Sequence, residues 1–120
     1  MKEIGFRAWD IQTESMRDVL VIDWVNELID LSGGIIERRP HEVELMQYTG
    51  LVDKHGFEIY EGDIVRYFRN ELAVIVYRDG GVDIRSLSWR DCEPLQRRLG
   101  EIEVIGNVYQ NKDLLLEEQK

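Results

Sequence analysis

Apolar and polar positions alternate over much of this chain with a period of two, the repeat of a strand that buries one face. Near the start Ile4, Phe6 and Ala8 alternate with Gly5, Arg7 and Trp9, which predicts a first strand. The polar IQTES stretch reads as a turn, and Met16 to Trp24, centred on Val19-Leu20-Val21-Ile22, reads as a second strand, so the chain opens with a hairpin. From Val25 to Leu31 the spacing of Val25, Leu28 and Ile29 fits one face of a helix stopped by Ser32-Gly33-Gly34; a strand followed by a loop fits the same residues.

Beyond Pro40 the period of two returns. Val43 and Leu45 alternate with Glu42 and Glu44 toward Tyr48, and after the turn signal Asp53-Lys54-His55-Gly56 the pattern resumes at Phe57 and Ile59. Ile64 to Phe68 and Leu72 to Tyr77 flank the short link Arg69-Asn70-Glu71, and Asp79-Gly80-Gly81 offers positive-φ positions before Val82, Ile84 and Leu87, which predicts a meander. Ser88 to Gly100 reads as a polar connection with a turn of helix at Leu95 to Leu99. A last strand through Ile102, Val104 or Ile105, and Val108 is bent at Gly106-Asn107, and Asn111 is placed to cap a short helix whose first turn holds Asp113. The expected fold is mostly β: a small N-terminal subdomain over residues 1–42, α+β or β, packed on an SH3-like barrel with a short C-terminal helix over 43–120.

Composition narrows the setting. The 120 residues form one ordinary domain or two small subdomains that share a core. A single cysteine, Cys92, leaves no internal disulfide and points to a reducing cytoplasm. Charged residues through the first ten positions leave no signal-peptide core, and runs such as Leu114 to Leu116 are too short to span a bilayer, so no membrane association is expected. With 15 basic and 24 acidic residues the net charge is -9, which repels phosphate backbones and ranks nucleic acid below protein as a partner. The basic pairs in Glu37-Arg38-Arg39 and Gln96-Arg97-Arg98 read as solvated loop charges.

Candidate chemistry concentrates between Leu45 and Tyr67. Gly62 supplies a backbone conformation closed to other residues, and Asp63 can accept from backbone N–H groups where the chain enters the next strand. The carboxylates Asp53, Glu58, Glu61 and Asp63 lack the spacing of a calcium loop, and a strand sends neighbouring side chains to opposite faces, so no metal, cofactor or acid–base pair is expected. Gln47, Tyr48, Thr49 and Gly50, with Tyr60, suit either recognition or a hydrogen-bonded corner. Together Gln47, Tyr48, Thr49, Gly50, Asp53, Tyr60, Gly62 and Asp63 are the candidate interaction or structural-signature residues.

FRAWD at Phe6 to Asp10, LMQYTGLVDKHGFEIYEGDIV at Leu45 to Val65 and VIGNVYQNKDLL at Val104 to Leu115 resemble, in order, the hallmark blocks of the YopX family of phage and prophage proteins. The resemblance implies a C-terminal SH3-like barrel with a smaller N-terminal portion packed on it, and brings no activity, cofactor or catalytic residue. The expectation for function is therefore a non-enzymatic accessory protein that binds a protein partner. A different class is nucleic-acid binding, with Trp9, Tyr67, Phe68, Tyr77 and Trp89 as stacking surfaces and Arg66, Arg69, Arg78 and Arg85 as cations. An acidic mimic of nucleic acid and a hydrolase rank lower, and Leu114-Leu115-Leu116 offers a surface for a homo-oligomer.

Overall fold

The computed structural model describes residues 5–117, and the side chains to residue 115. Ile4, expected in the first strand, and the side chain of Leu116 lie outside the described residues. The chain divides into two compact units, residues 1–48 and 49–120, and the division falls inside a single strand.

In the first unit, β1 (Phe6–Asp10) and β2 (Ser15–Asp23) form the expected hairpin, with Ala8 opposite Arg17. The segment read as a helical face is instead a turn followed by β3 (Leu28–Leu31). The Asp23 carboxylate accepts from the backbone N–H of Asn26 at 3.0 Å and from its side-chain amide at 2.7 Å, and Glu27 sits in the left-handed region at φ 56, which ends any helical path. Ile29 and Leu31 are then buried in alternation, the period of a strand rather than a helix. β4 (Ile36–Arg38) and β5 (Val43–Val52) complete this sheet in the order β4-β3-β2-β1-β5, all antiparallel. The core is small: Ala8, Ile29, Leu31 and Val43, with Val19, Ile22, Ile36 and Leu45 packed against it.

Asp10, the last residue of β1, has no exposed surface, and its carboxylate accepts from Arg38 Nε at 2.9 Å, Arg38 Nη2 at 3.1 Å and the Thr13 hydroxyl at 2.6 Å. The forked pair anchors the return from edge strand β4 to β5, which lies on the opposite side of the sheet and starts opposite Asp10. Arg38 is thus a partner of a buried acid, not the solvated loop charge its neighbours suggest.

The second unit is a five-stranded antiparallel sheet. β6 (Glu58–Tyr60) lies beside β5, and β7 (Asp63–Tyr67), β8 (Glu71–Arg78) and β9 (Gly81–Ser86) form the expected meander. Asp79 and Gly80, at φ 49 and 81, make the two-residue turn between β8 and β9. Within the stretch read as a polar connection, Cys92–Pro94 forms a further strand, β10, on β9, and a 3-10 helix follows over Leu95–Glu101. The period of two was invisible there because the strand is only three residues long. β11 (Glu103–Asn107) returns to β7 with a bulge between Val104 and Gly106, and α1 (Lys112–Glu117) ends the described chain.

The sheet order is β10-β9-β8-β7-β11, and among the described residues it does not close into the expected barrel. β10 is short and ends in Pro94, which has no N–H to offer a further strand, so the sheet stops there. Its inner face buries Ile59, Val65, Ala73, Ile75, Ile84, Leu95 and Ile102 as one core.

Asp10→Ala would remove both forked hydrogen bonds to Arg38, which keeps only the more distant charge of Glu42 and a view of solvent, and is expected to destabilise the protein measurably, by less than the loss of one partner from a fully buried pair. Chemical denaturation of the variant and of Arg38→Gln checks this. Wild-type stability in both would mean that the pair is dispensable.

Candidate functional site

Of the residues singled out, Gln47 and Tyr48 belong to the first unit, and those from Thr49 to Asp63 build a hydrogen-bonded corner in the second. In the first unit Gln47 stands opposite Phe6 and the Tyr48 N–H donates to the Gly5 carbonyl at 2.8 Å, with the Tyr48 side chain buried. In the second unit the Thr49 hydroxyl donates to the Ile59 carbonyl at 2.7 Å and accepts from the Leu51 N–H at 3.2 Å, while Gly50 turns the strand at φ 83.

Asp53 holds the corner together. One carboxylate oxygen accepts from the N–H groups of His55 and Phe57, both at 2.9 Å, and the other from Val104 on β11, also at 2.9 Å. Burial pushes its acidity toward the neutral form, but the N–H groups of Val104, Phe57 and His55 outweigh it and hold the carboxyl below the ordinary aspartate range. Asp63, equally buried, accepts from the Tyr60 N–H at 2.8 Å, and the buried Gly62 between them donates to Ile75 and accepts from Val108. These acids serve the backbone. Among the described residues no group of His, Cys, Asp and Glu converges to hold a metal ion.

The block from Val104 to Leu115 has a similar explanation. The Asn107 side-chain oxygen accepts from the N–H groups of Tyr109 at 3.0 Å and Gln110 at 2.9 Å. Asn111, expected to cap α1 with its side chain, turns that side chain back to accept from the Asn107 N–H at 3.0 Å. A Cβ on Gly106 would overlap the Asn111 side chain, so that position needs glycine for space.

The surface features with binding character lie elsewhere in the second unit, around the 86–98 segment that sequence patterning left as a connection. One hollow of about 340 Å³ is framed by Tyr67, Phe68, Arg69, Trp89 and Arg98. Arg98 lies over the Phe68 ring at 5.2 Å and the Tyr67 ring at 6.0 Å, fixed by Glu93 at 2.6 Å and Glu101 at 3.4 Å, so it too is no solvated loop charge. Trp89 and Phe68 remain 72% and 45% exposed. A second surface, on the outer side of β8, β9 and β10, carries Arg85 and Arg90 between Val76 and Cys92.

The expected cation–aromatic face is therefore split. Tyr67, Phe68, Arg69 and Trp89 come together, Tyr77, Arg78 and Arg85 share the other surface, Arg66 is paired with Glu103 at 3.2 Å, and Trp9 belongs to the first unit. Arg90 was not singled out in the sequence, and Arg98 was read only as a loop charge because the rings it covers, Phe68 and Tyr67, are distant in the chain. No helix among the described residues is long and apolar enough to cross a membrane.

Two outcomes are expected of the corner. Folding lowers the pKa of Asp53 and, in the first unit, of Asp10, the latter chiefly through Arg38, so their stabilisation is full above the unfolded value of about 3.9 and is lost as pH falls through the lower folded values. Acid denaturation of Asp53→Asn should show a shallower loss below pH about 4, and an unchanged slope would count against this role. Gly106→Ala should cost about 1–3 kcal/mol in thermal or urea unfolding through its overlap with Asn111.

Known proteins share this fold. A solved structure of protein EF1440 from Enterococcus faecalis is 28% identical, superposes with a TM-score of 0.70, and the match covers 96% of this chain and 99% of that one. The structure of yopX from Bacillus subtilis, 21% identical, shares the fold with a TM-score of 0.60 over 96% of this chain and 97% of that one. No curated protein sequence matches significantly. The profile of the YopX protein family matches residues 5–116, which takes in the corner around Asp53, the Asn107 turn and both sheets: the chain belongs to the YopX family.

Proposed function

We propose that this protein is an accessory protein encoded by a phage or prophage, acting in the bacterial cytoplasm without catalysis by binding another protein. The observation that carries this reading is the hollow framed by Tyr67, Phe68, Trp89 and Arg98, where two large aromatic side chains stay exposed against a stacked, ion-paired guanidinium. Aromatic rings and an arginine are the side chains most enriched at protein interfaces. The conspicuous carboxylates lend support, because Asp10, Asp53 and Asp63 are occupied with backbone and arginine partners and not turned toward a common point. We read the second unit as an open SH3-like sheet, a reading supported by the meander β7–β10, the 3-10 helix and the return of β11 beside β7.

The same aromatics favour a second reading, single-stranded nucleic acid stacked on Phe68 and Trp89. Its weakness is electrostatic. Arg98 is neutralised by Glu93 and Glu101, and Glu71 and Asp91 also line the hollow, so little positive charge is left for phosphate.

Affinity capture from bacterial lysate, with and without nuclease, separates the readings. The expected result is a protein retained after nuclease treatment and lost with the Phe68→Ala/Trp89→Ala variant, whose unfolding midpoint should barely move because both rings are exposed. Material that disappears with nuclease and weakens steeply with salt would instead establish the nucleic-acid reading.

A further inference from the structure

Arg85, Arg90 and Arg97 stand apart from the other arginines of the second unit, and of these Arg85 and Arg90 share one surface, whose lining does not include Arg97. Arg66, Arg78 and Arg98 each meet a carboxylate, and Arg69 lies over the Phe68 ring at 5.0 Å. Neither Arg85 nor Arg90 has an ion-pair partner among the described residues, although the chain as a whole carries nine excess negative charges. Such a chain offers acids in abundance, so two exposed guanidiniums left unpaired on one surface form a local positive centre.

The surroundings of this centre are specific. Two adjoining hollows meet at Val76, Arg85 and Arg90, which line both. The first, about 240 Å³, has an aliphatic wall of Val74, Leu87, Val108 and Leu115. The second, about 410 Å³, is bounded by Tyr77, Arg78 and Cys92. The register places Val74, Arg85 and Cys92 side by side across β8, β9 and β10, so the arginine rises between a valine and a cysteine on the outer sheet face.

Asp83, the β9 acid two residues before Arg85, is held by Arg78 at 3.4 Å. Arg90 is in the left-handed region at φ 60, a conformation that costs a non-glycine residue energy. Its loop is nonetheless fixed: the Arg90 N–H donates to the Ser86 carbonyl and the Ser86 N–H to the Asp91 carbonyl, both at 2.9 Å, while the Trp89 N–H donates to the Ser86 hydroxyl.

We infer that this surface binds a segment of a protein partner that combines carboxylates with aliphatic side chains, the acids meeting Arg85 and Arg90 and the apolar groups lying against Val74, Val76, Leu87 and Val108. The inference rests on the protein-binding reading above and names the chemistry of the partner. A guanidinium recognises carboxylate with two parallel N–H donors, and an aliphatic wall strengthens that contact by excluding water. Phosphate would suit the charges alone, but nucleic acid would find one exposed aromatic, Tyr77, and no platform on which successive bases could stack. The loop between Ser86 and Asp91 borders both this surface and the aromatic hollow, so a single bound segment can reach from one to the other.

Fluorescence anisotropy with defined probes tests the assignment. The probes are a labelled peptide alternating glutamate and leucine, a glutamate–serine peptide of the same length and charge, and a single-stranded oligonucleotide. The glutamate–leucine peptide should bind best, and Arg85→Gln/Arg90→Gln, checked for fold by circular dichroism, should weaken it by about tenfold or more. The proposal is overturned if that peptide does not bind, if it binds the double variant as well as the wild type, or if either other probe binds as tightly. Lysate capture separates the two levels. A partner kept by Arg85→Gln/Arg90→Gln but lost with Phe68→Ala/Trp89→Ala would overturn this site and leave the protein-binding reading standing.

Discussion

The second unit depends on one carboxylate. Asp53 accepts three backbone N–H groups, two from the turn that follows it and one from Val104, which is 51 residues away in the chain. A parallel contact, from the Lys54 N–H to the Ile102 carbonyl at 2.9 Å, lies beside it. Strand β11 is therefore held on both sides, by β7 through its ladder and by the Asp53 turn through a charge-assisted bond. An amide or hydroxyl at that position could not accept all three bonds as an ionised acid does.

The same device recurs. Asp10 closes the return from β4 to β5 in the first unit, Asp63 secures the entry to β7, and Asn107 and Asn111 organise the turn after β11. The stretches through which the chain resembles its family are thus explained by backbone satisfaction: buried polar side chains fix the places where short strands change direction. The exposed rings and guanidiniums of the second unit gather instead around residues 86–98, where Trp89, Arg90 and Arg98 project from a fixed loop and a 3-10 helix.

Much of this scaffold could be read in advance. The hairpin β1–β2, the meander β7–β9 and the Asp79-Gly80 turn follow from period-two burial and positive-φ residues, both local signals. The misread segments had no such signal. Val25, Leu28 and Ile29 mimic a helical face, but an Asx turn at Asp23 and a left-handed Glu27 break it, and β10 is too short to show a period. Arg38 and Arg98 were mistaken for solvated charges because their partners, Asp10, Phe68 and Tyr67, lie outside any local window. The expected barrel failed at β10, where Pro94 ends the ladder. The corner at Asp53 and Asp63 was legible as residue types, while its third acceptor contact, with β11, was not.

The pairing of β7 with β11 also orders events during synthesis. Residues 63 and 103 stand 40 positions apart (103 − 63), and until Glu103 to Asn107 have emerged, one side of β7 lacks its ladder and the Asp53 carboxylate lacks its third donor. At about 5–20 residues/s a ribosome takes roughly 2–8 s to cross that interval, with an apolar strand edge open throughout. The meander β7–β10 can form at once from local contacts, but completion waits for the last strand. A truncation before Val104 would thus leave a nascent chain whose β7 is an edge strand, open on the side that β11 covers, the kind of species that chaperones and proteases recognise.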